Sequence, residues 1–182
     1  SRLTSNLKNV SAERIQAELV KLLVSPHPDY LRTAYETGIT KEFLPEFDLC
    51  METEQNTPYH CFTVGEHILH SLLYVEADKV LRLTMLLHDI AKPVMKTTDE
   101  NGRDHFKRHA AVGEEMSKKI LRRLKFDNDT IEKVSRLIRY HDDRPEGQMR
   151  AVRRAMNRIG EELFPLYLEV RKADMLAQSE YC

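Results

Sequence analysis

Three observations predict an all-α fold. Apolar residues recur at helical spacing along almost the whole chain, no segment alternates apolar and polar residues as a half-buried strand would, and prolines and glycines fall where helices start and stop. Ser11 is a good N-cap, and Ile15, Leu19, Leu22 and Leu23 follow it on one helical face. Ser25-Pro26-His27-Pro28 breaks that helix. Pro28 suits the first turn of the next, which Gly38 ends, and Thr40 is placed to cap a short turn that Pro45 closes. These pieces make a small N-terminal bundle. After a loop around 52–59, Thr63-Val64-Gly65-Glu66 has capping-box spacing and should open a helix. Asp78 starts another, expected to run through Leu81, Leu83, Leu86 and Leu87 to Ala91, with Pro93 stopping it. Thr97 to Arg103, with Asn101-Gly102, reads as a turn, and helices are expected over roughly 108–124, 129–141, 148–159 and 161–177. Two units are expected, a helical segment over 1–55 and a larger helical domain over 56–182.

A chain of 182 residues with 41% hydrophobic and 31% charged content is a globular chain of one compact domain or a domain with an appendage. No stretch approaches the ~18 consecutive apolar residues of a membrane span, so no membrane partner is expected. The cysteines Cys50, Cys61 and Cys182 form no Cys-x-x-Cys pair. Neither a disulfide framework nor a zinc ribbon is expected, and a reducing cytoplasm is. The net charge of −1 conceals a division: residues 1–102 hold 10 basic against 15 acidic side chains, 103–158 hold 16 against 9, and 159–182 hold 2 against 5. A basic middle of this kind offers a face to polyanions. The chain starts at Ser1 without a methionine and is expected to be a piece of a longer parent.

Position, more than number, makes the histidines informative. His88-Asp89 ends an apolar helix, within Met85-Leu86-Leu87-His88-Asp89-Ile90-Ala91-Lys92-Pro93. An imidazole and a carboxylate buried together are costly unless neutralised, and a divalent metal does this. Taken alone, the pair reads more simply as a histidine bonded to the helix C-terminus with Asp89 facing water. Other helices add to it. His67 lies one turn into its helix, and His109 lies near the start of a later one. His141 falls three after Ile138 and seven after Val134, while Asp174 falls four after Val170 and seven after Tyr167, so both share apolar faces. Five helices thus direct His or Asp inward, as a metal site between bundled helices requires.

The order His67, His88-Asp89, His109, His141, Asp174 resembles the HD superfamily of metal-dependent phosphohydrolases. The resemblance extends to Glu66-His67-Ile68-Leu69, His109-Ala110-Ala111-Val112-Gly113 and Ala173-Asp174-Met175. It implies a first metal on His67, His88, Asp89 and Asp174, and a second, bridged by Asp89, on His109 and His141. The cofactor is then one or two divalent ions, with Mn, Ni, Co, Fe, Zn and Mg all compatible with the donors. The implied chemistry is phosphate-ester hydrolysis, with Asp89 central and Lys92, which matches a lysine that often follows the His-Asp pair, contacting phosphate or else solvated at a helix end. His70 and His105 are not placed on the metal, though His105 is free to line the pocket.

Asn9-Val10-Ser11-Ala12-Glu13-Arg14-Ile15, Glu36-Thr37-Gly38-Ile39 and Leu44-Pro45-Glu46 resemble the helical body of bacterial tRNA nucleotidyltransferases, the CCA-adding and poly(A) polymerase family. Tyr59-His60-Cys61-Phe62-Thr63-Val64 suits the HD domain many of them carry. The family's Gly-Ser-rich catalytic turn with paired aspartates has no match. Asp127 and Asp129 read as helix caps, so the chain is not expected to add CCA by itself. The partners this implies are a tRNA or RNA 3′ end and a nucleotide or phosphate-ester substrate; the oligomeric state is not legible. Lys118, Lys119, Arg122 and Arg123, with Lys125, crowd one helix, and Arg150, Arg154 and Arg158 with Arg153 form a ridge on another. These are the candidate RNA-binding residues. Two other readings stand beside this one: an independent HD nucleotide phosphohydrolase, and a non-catalytic RNA-binding scaffold with a structural metal.

Overall fold

In the computed structural model, residues 11–58, 62–145 and 147–179 are described. The expectations for Asn9, Val10, Tyr59, His60, Cys61 and Cys182 concern residues outside them. The fold is all-α with one minimal hairpin. Helix α1 (Ala12–Leu23) is capped by Ser11, whose hydroxyl accepts from Arg14 N–H. A 3₁₀ turn (Pro28–Tyr30) with Pro28 at its start leads into α2 (Leu31–Glu36), and Gly38, at φ 80°, turns the chain after it. Helices α3 (Thr40–Phe43) and α4 (Pro45–Met51) follow.

Two expectations about proline are corrected here. Pro45 does not close a turn; it opens α4. Pro93 does not stop a helix running to Ala91: α6 (Lys79–Leu87) already ends at Leu87, and Pro93 lies in the first turn of α7 (Lys92–Met95). Both follow from one property, because proline lacks only an N–H that a first turn leaves unpaired anyway. Thr40 likewise is not a cap but the first residue of α3, and its hydroxyl donates to Asp48 Oδ1 at 2.6 Å.

Helix α5 (Val64–Leu72) begins at Thr63 as expected, with Thr63 Oγ1 accepting from Glu66 N–H. The carboxylate of Glu66 does not complete a capping box. It accepts two bonds from the Arg32 guanidinium, at 2.9 and 2.7 Å, tying α2 to the helix that carries His67. The expected turn between Thr97 and Arg103 is the tip of a hairpin, β1 (Thr97–Thr98) with β2 (Asp104–His105), in which Thr97 faces His105. Strands of two residues are too short to alternate, which is why the sequence reads as a turn alone. The remaining helices are α8 (His109–Arg123), α9 (Asn128–Tyr140), α10 (Met149–Ile159) and α11 (Phe164–Ser179). Asp127 caps α9, as expected, but Asp129 is not a cap: it lies inside the first turn of α9, where its carboxylate meets Lys133 one turn on at 3.1 Å.

One continuous core joins the N-terminal helices to the rest: Leu19, Leu23, Leu31, Leu44 and Phe47 pack with Ile68, Leu69, Leu83, Leu86, Ile138 and Val170. Cys50 is buried within it, and burial pushes its thiol up, away from the reactive thiolate. A smaller cluster of Leu137, Ala155, Ile159, Leu163 and Tyr167 seats α10. Among the described residues no helix is long and apolar enough to cross a membrane.

Gly65 marks the closest approach between α4 and α5. A Cβ there would lie 2.7 Å from both Met51 Cα and Met51 N. Backbone cannot swing aside as a side chain can, so Gly65→Ala is expected to cost about 1–3 kcal/mol. The check is a urea titration, in which the midpoint should fall while the slope stays constant.

Candidate metal centre

Each candidate ligand stands where a helix begins, ends or passes the centre. His67 lies in the first turn of α5, His88 is the C-cap of α6, and Asp89 follows it in the turn before α7. His109 is the first residue of α8, His141 is the C-cap of α9, and Asp174 projects from α11. Arg108, at φ 65°, holds the left-handed conformation that turns the chain into His109, at a cost of about 1 kcal/mol for a residue with a Cβ.

The structure brings all six expected ligands together in two groups that share Asp89. In the first, His67 Nε2 is 2.8 Å from Asp174 Oδ1 and 3.7 Å from Asp89 Oδ2, and His88 Nε2 is 3.4 Å from both of those oxygens and from His67 Nε2. In the second, His109 Nε2 and His141 Nε2 lie 3.2 Å apart, and 3.4 and 3.5 Å from Asp89 Oδ1.

Backbone carbonyls fix the tautomers. His88 Nδ1 faces Met85 O at 2.6 Å, His109 Nδ1 faces Phe106 O at 2.9 Å, and His141 Nδ1 faces Ile138 O at 2.6 Å. A carbonyl only accepts, so each Nδ1 carries a proton and each neutral ring turns its Nε2 lone pair inward. Lone pairs converging from His109 and His141 at 3.2 Å repel unless a cation or proton lies between them. Asp89 Oδ2, fully buried, has the Lys92 ammonium 3.1 Å away but no hydrogen bond of good geometry. Both features fit a divalent cation, and carbonyl-anchored imidazoles are the usual support of metal-binding histidines.

Charge balance points the same way. Burial pushes Asp89 up, but the neighbouring His88, Lys92, His109 and His141 outweigh it and hold the carboxyl well below the ordinary range. Asp174 behaves alike: burial raises it, and His67 and His88 more than reverse this. Burial lowers His88, while Asp89 and Asp174 together raise it above the usual imidazole value. Five helices and a turn have therefore assembled two ionised carboxylates around His88, whose charged form they favour.

Lys92 sits beside the centre. Its Nζ is 3.1 Å from Asp89 Oδ2, donates to Gln55 Oε1 at 2.8 Å and lies over the Phe106 ring at 5.1 Å. A cleft of about 750 Å³ opens onto the cluster, its walls carrying Lys92, Arg103, Lys107, Arg144 and Arg171 together with Asp104 and Asp142. Of these, sequence reasoning singled out only Lys92. Arg103 and Lys107 flank the second strand of the hairpin, Arg144 and Arg171 lie far from them in the chain, and Gln55 lies in a loop without periodicity, so no local pattern marks them as one group. His105 does line the cleft, paired with Asp99 at 2.8 Å, and His70 stacks on Phe62 away from the cluster.

The basic residues divide. On α8, Lys118 pairs with Glu114 and Glu115, and Arg123 is held by both oxygens of Glu46, while Lys119 and Arg122 are exposed. On α10, Arg150, Arg153, Arg154 and Arg158 are all exposed.

A family profile described as "HD domain" matches residues 57–178, more than half of the chain. The chain belongs to the HD domain family. Residues 1–51 match a second profile, "Probable RNA and SrmB- binding site of polymerase A". Over 172 residues, 91% of this chain, the HD protein is 35% identical to the CC-adding tRNA nucleotidyltransferase of Thermus thermophilus. Over 168 residues, 89% of the chain, it is 33% identical to the A-adding tRNA nucleotidyltransferase of Deinococcus radiodurans. A bifunctional uridylyltransferase/uridylyl-removing enzyme of Ruegeria pomeroyi is 30% identical over 153 residues, covering 71% of this chain and 15% of that enzyme. The chain is thus homologous to tRNA nucleotidyltransferases along nine tenths of its length, and it spans 39% and 38% of the two it matches.

Proposed function

We propose that the cluster is a two-ion centre for hydrolysing a phosphate ester, in the part of a cytoplasmic tRNA nucleotidyltransferase that follows its catalytic head. The observation that carries this reading is the facing pair His109 Nε2 and His141 Nε2, 3.2 Å apart, with both Nδ1 protons committed to carbonyls. His67, His88, Asp89 and Asp174 would hold one ion; His109 and His141 would hold the other, with Asp89 between them. Divalent ions bound there supply a water of lowered pKa and neutralise charge on phosphoryl oxygens. The chain's own groups do the rest. Lys92, held by Asp89, Gln55 and Phe106, is placed to donate to a phosphate oxygen. Arg103, Lys107, Arg144 and Arg171 draw an anionic substrate into the cleft. Residues 1–55 serve as RNA-binding body and 56–182 as the HD domain, with α10 and the unpaired cations of α8 facing tRNA.

The test is hydrolysis of a 2′,3′-cyclic nucleotide by the metal-stripped chain after adding back Mn, Ni, Co or Mg. Turnover that appears only with metal supports the reading. No turnover from folded, metal-loaded protein would overturn it in favour of an RNA-binding scaffold.

Gln55 acts through Lys92 as a positioning residue. Gln55→Ala frees the ammonium and is expected to lower kcat about tenfold, the order of loss for a misplaced group. Mn affinity should stay near that of the unaltered chain, and Gln55→Glu, which still accepts from Lys92, should recover most of the rate.

A further inference from the structure

Immediately after the ligand His141, the chain forms the wall between two concavities. On one side is the metal cleft. On the other is an open trough of about 840 Å³ between residues 143–145 and the outer face of α10, lined by Arg144, Arg154, Asn157 and Arg158 with Asp143. Arg144 lines both. Among the described residues Arg144 and Arg154 have no ionic partner, and Arg158 meets Asp143 only at 3.5 Å with half of its side chain exposed. Among the described residues three arginines thus face one carboxylate in the trough, while Asp142 turns to the cleft. The trough is not a mobile fringe: Ala155 and Ile159 anchor the inner face of α10 against Leu163 and Tyr167, and the Tyr167 hydroxyl donates to Asp143 O at 2.5 Å.

We infer that a single RNA strand reaches the metal cleft along this trough. Its backbone phosphates lie on Arg158 and Arg154, and its 3′-terminal phosphate ester passes Arg144 to the cluster. This rests on the phosphohydrolase reading and names its substrate class as the end of an RNA strand, not a free nucleotide. The two arginines stand one helical turn apart, a rise of about 6 Å, comparable to the step between neighbouring phosphates of an extended strand. Guanidinium groups pair with phosphate through two parallel N–H donors. Among the described residues no aromatic side chain lines the trough, so the contact follows the backbone irrespective of sequence.

The experiment compares a short oligoribonucleotide ending in a 2′,3′-cyclic phosphate with 2′,3′-cyclic AMP, both hydrolysed by the Mn-loaded chain. The quantity read is the ratio of their kcat/KM values, for the unaltered chain and for Arg154→Ala/Arg158→Ala. The unaltered chain should favour the oligonucleotide. In the double variant the ratio should fall about tenfold through KM, and the salt dependence of the oligonucleotide reaction should become shallower by about 1.4 in log–log slope, for two single-strand phosphates. Equal kcat/KM for both substrates, or an unchanged ratio in the double variant, overturns this inference while leaving the hydrolytic centre in place. No turnover of either substrate overturns both. Thermal melts of the double variant, whose substitutions lie on exposed positions, confirm that folding is not what changed.

Discussion

Asp89→Ala is expected to abolish metal-dependent hydrolysis, by about a thousandfold or more, the scale of losing a main electrostatic element of a site. Asp89 is the one residue shared by both donor groups, with Oδ1 toward His109 and His141 and Oδ2 toward His67 and His88. Its removal leaves four imidazoles and one remaining carboxylate, so the affinity for a second ion goes with it. It also leaves Lys92 buried beside an empty volume, without the carboxylate 3.1 Å away. Stripping one member from a buried ion pair typically costs about 3–5 kcal/mol, so part of the loss would be instability. Asp89→Asn separates the two effects. It keeps the volume and a group facing Lys92 but offers no negative charge, so it should fold better than Asp89→Ala and hydrolyse equally poorly. Initial rates with added Mn, paired with thermal melts, distinguish a lost site from a lost fold.

Arg82→Met is expected to be the most destabilising change away from the centre. Arg82 is buried in α6 with no carboxylate beside it. Its guanidinium donates to Val75 O at 3.3 and 3.2 Å, Glu76 O at 3.0 Å, Ser25 O at 3.2 Å and Leu23 O. The residue therefore fastens the end of α1 and the 75–78 turn to the helix that delivers His88. Burial lowers its pKa, showing that the charge is desolvated and held by carbonyl dipoles. Methionine fills a similar volume and strands those carbonyls without donors, at about 3 kcal/mol or more. At about 2–4 °C per kcal/mol for a chain of this size, Tm should drop by about 6–12 °C. Metal binding at low temperature should persist, because none of the six ligands touches Arg82. Arg82→Lys, with one nitrogen in place of a planar fork, should recover only a fraction of the loss.

Residues whose role is written in local pattern were the legible ones. His141 and Asp174 sit on apolar helical faces, so their inward direction follows from spacing, and Ser11, Thr63, Asp78 and Asp127 cap the helices they precede. What could not be read depends on contacts between distant segments. Glu66 has capping-box spacing, yet its carboxylate goes to Arg32, because a guanidinium from α2 competes with the helix's own N–H. Arg123 belongs to a basic run by sequence, while the fold gives it Glu46. Gln55 and Arg144 come from loops, and only the closing of the bundle sets them beside Lys92 and the cleft. Nothing in the local pattern marks Arg82 for burial, yet it is buried, since five hydrogen bonds to carbonyls replace water around it.

The number of Mn ions bound per chain, measured by equilibrium dialysis on metal-stripped protein, tests the centre most directly. Two ions are expected for the unaltered chain. One is expected for His109→Ala/His141→Ala, in which His67, His88, Asp89 and Asp174 remain. Folded protein that binds no ion, or a double variant that binds as many as the unaltered chain, would contradict the assignment of the cluster as a shared two-ion site.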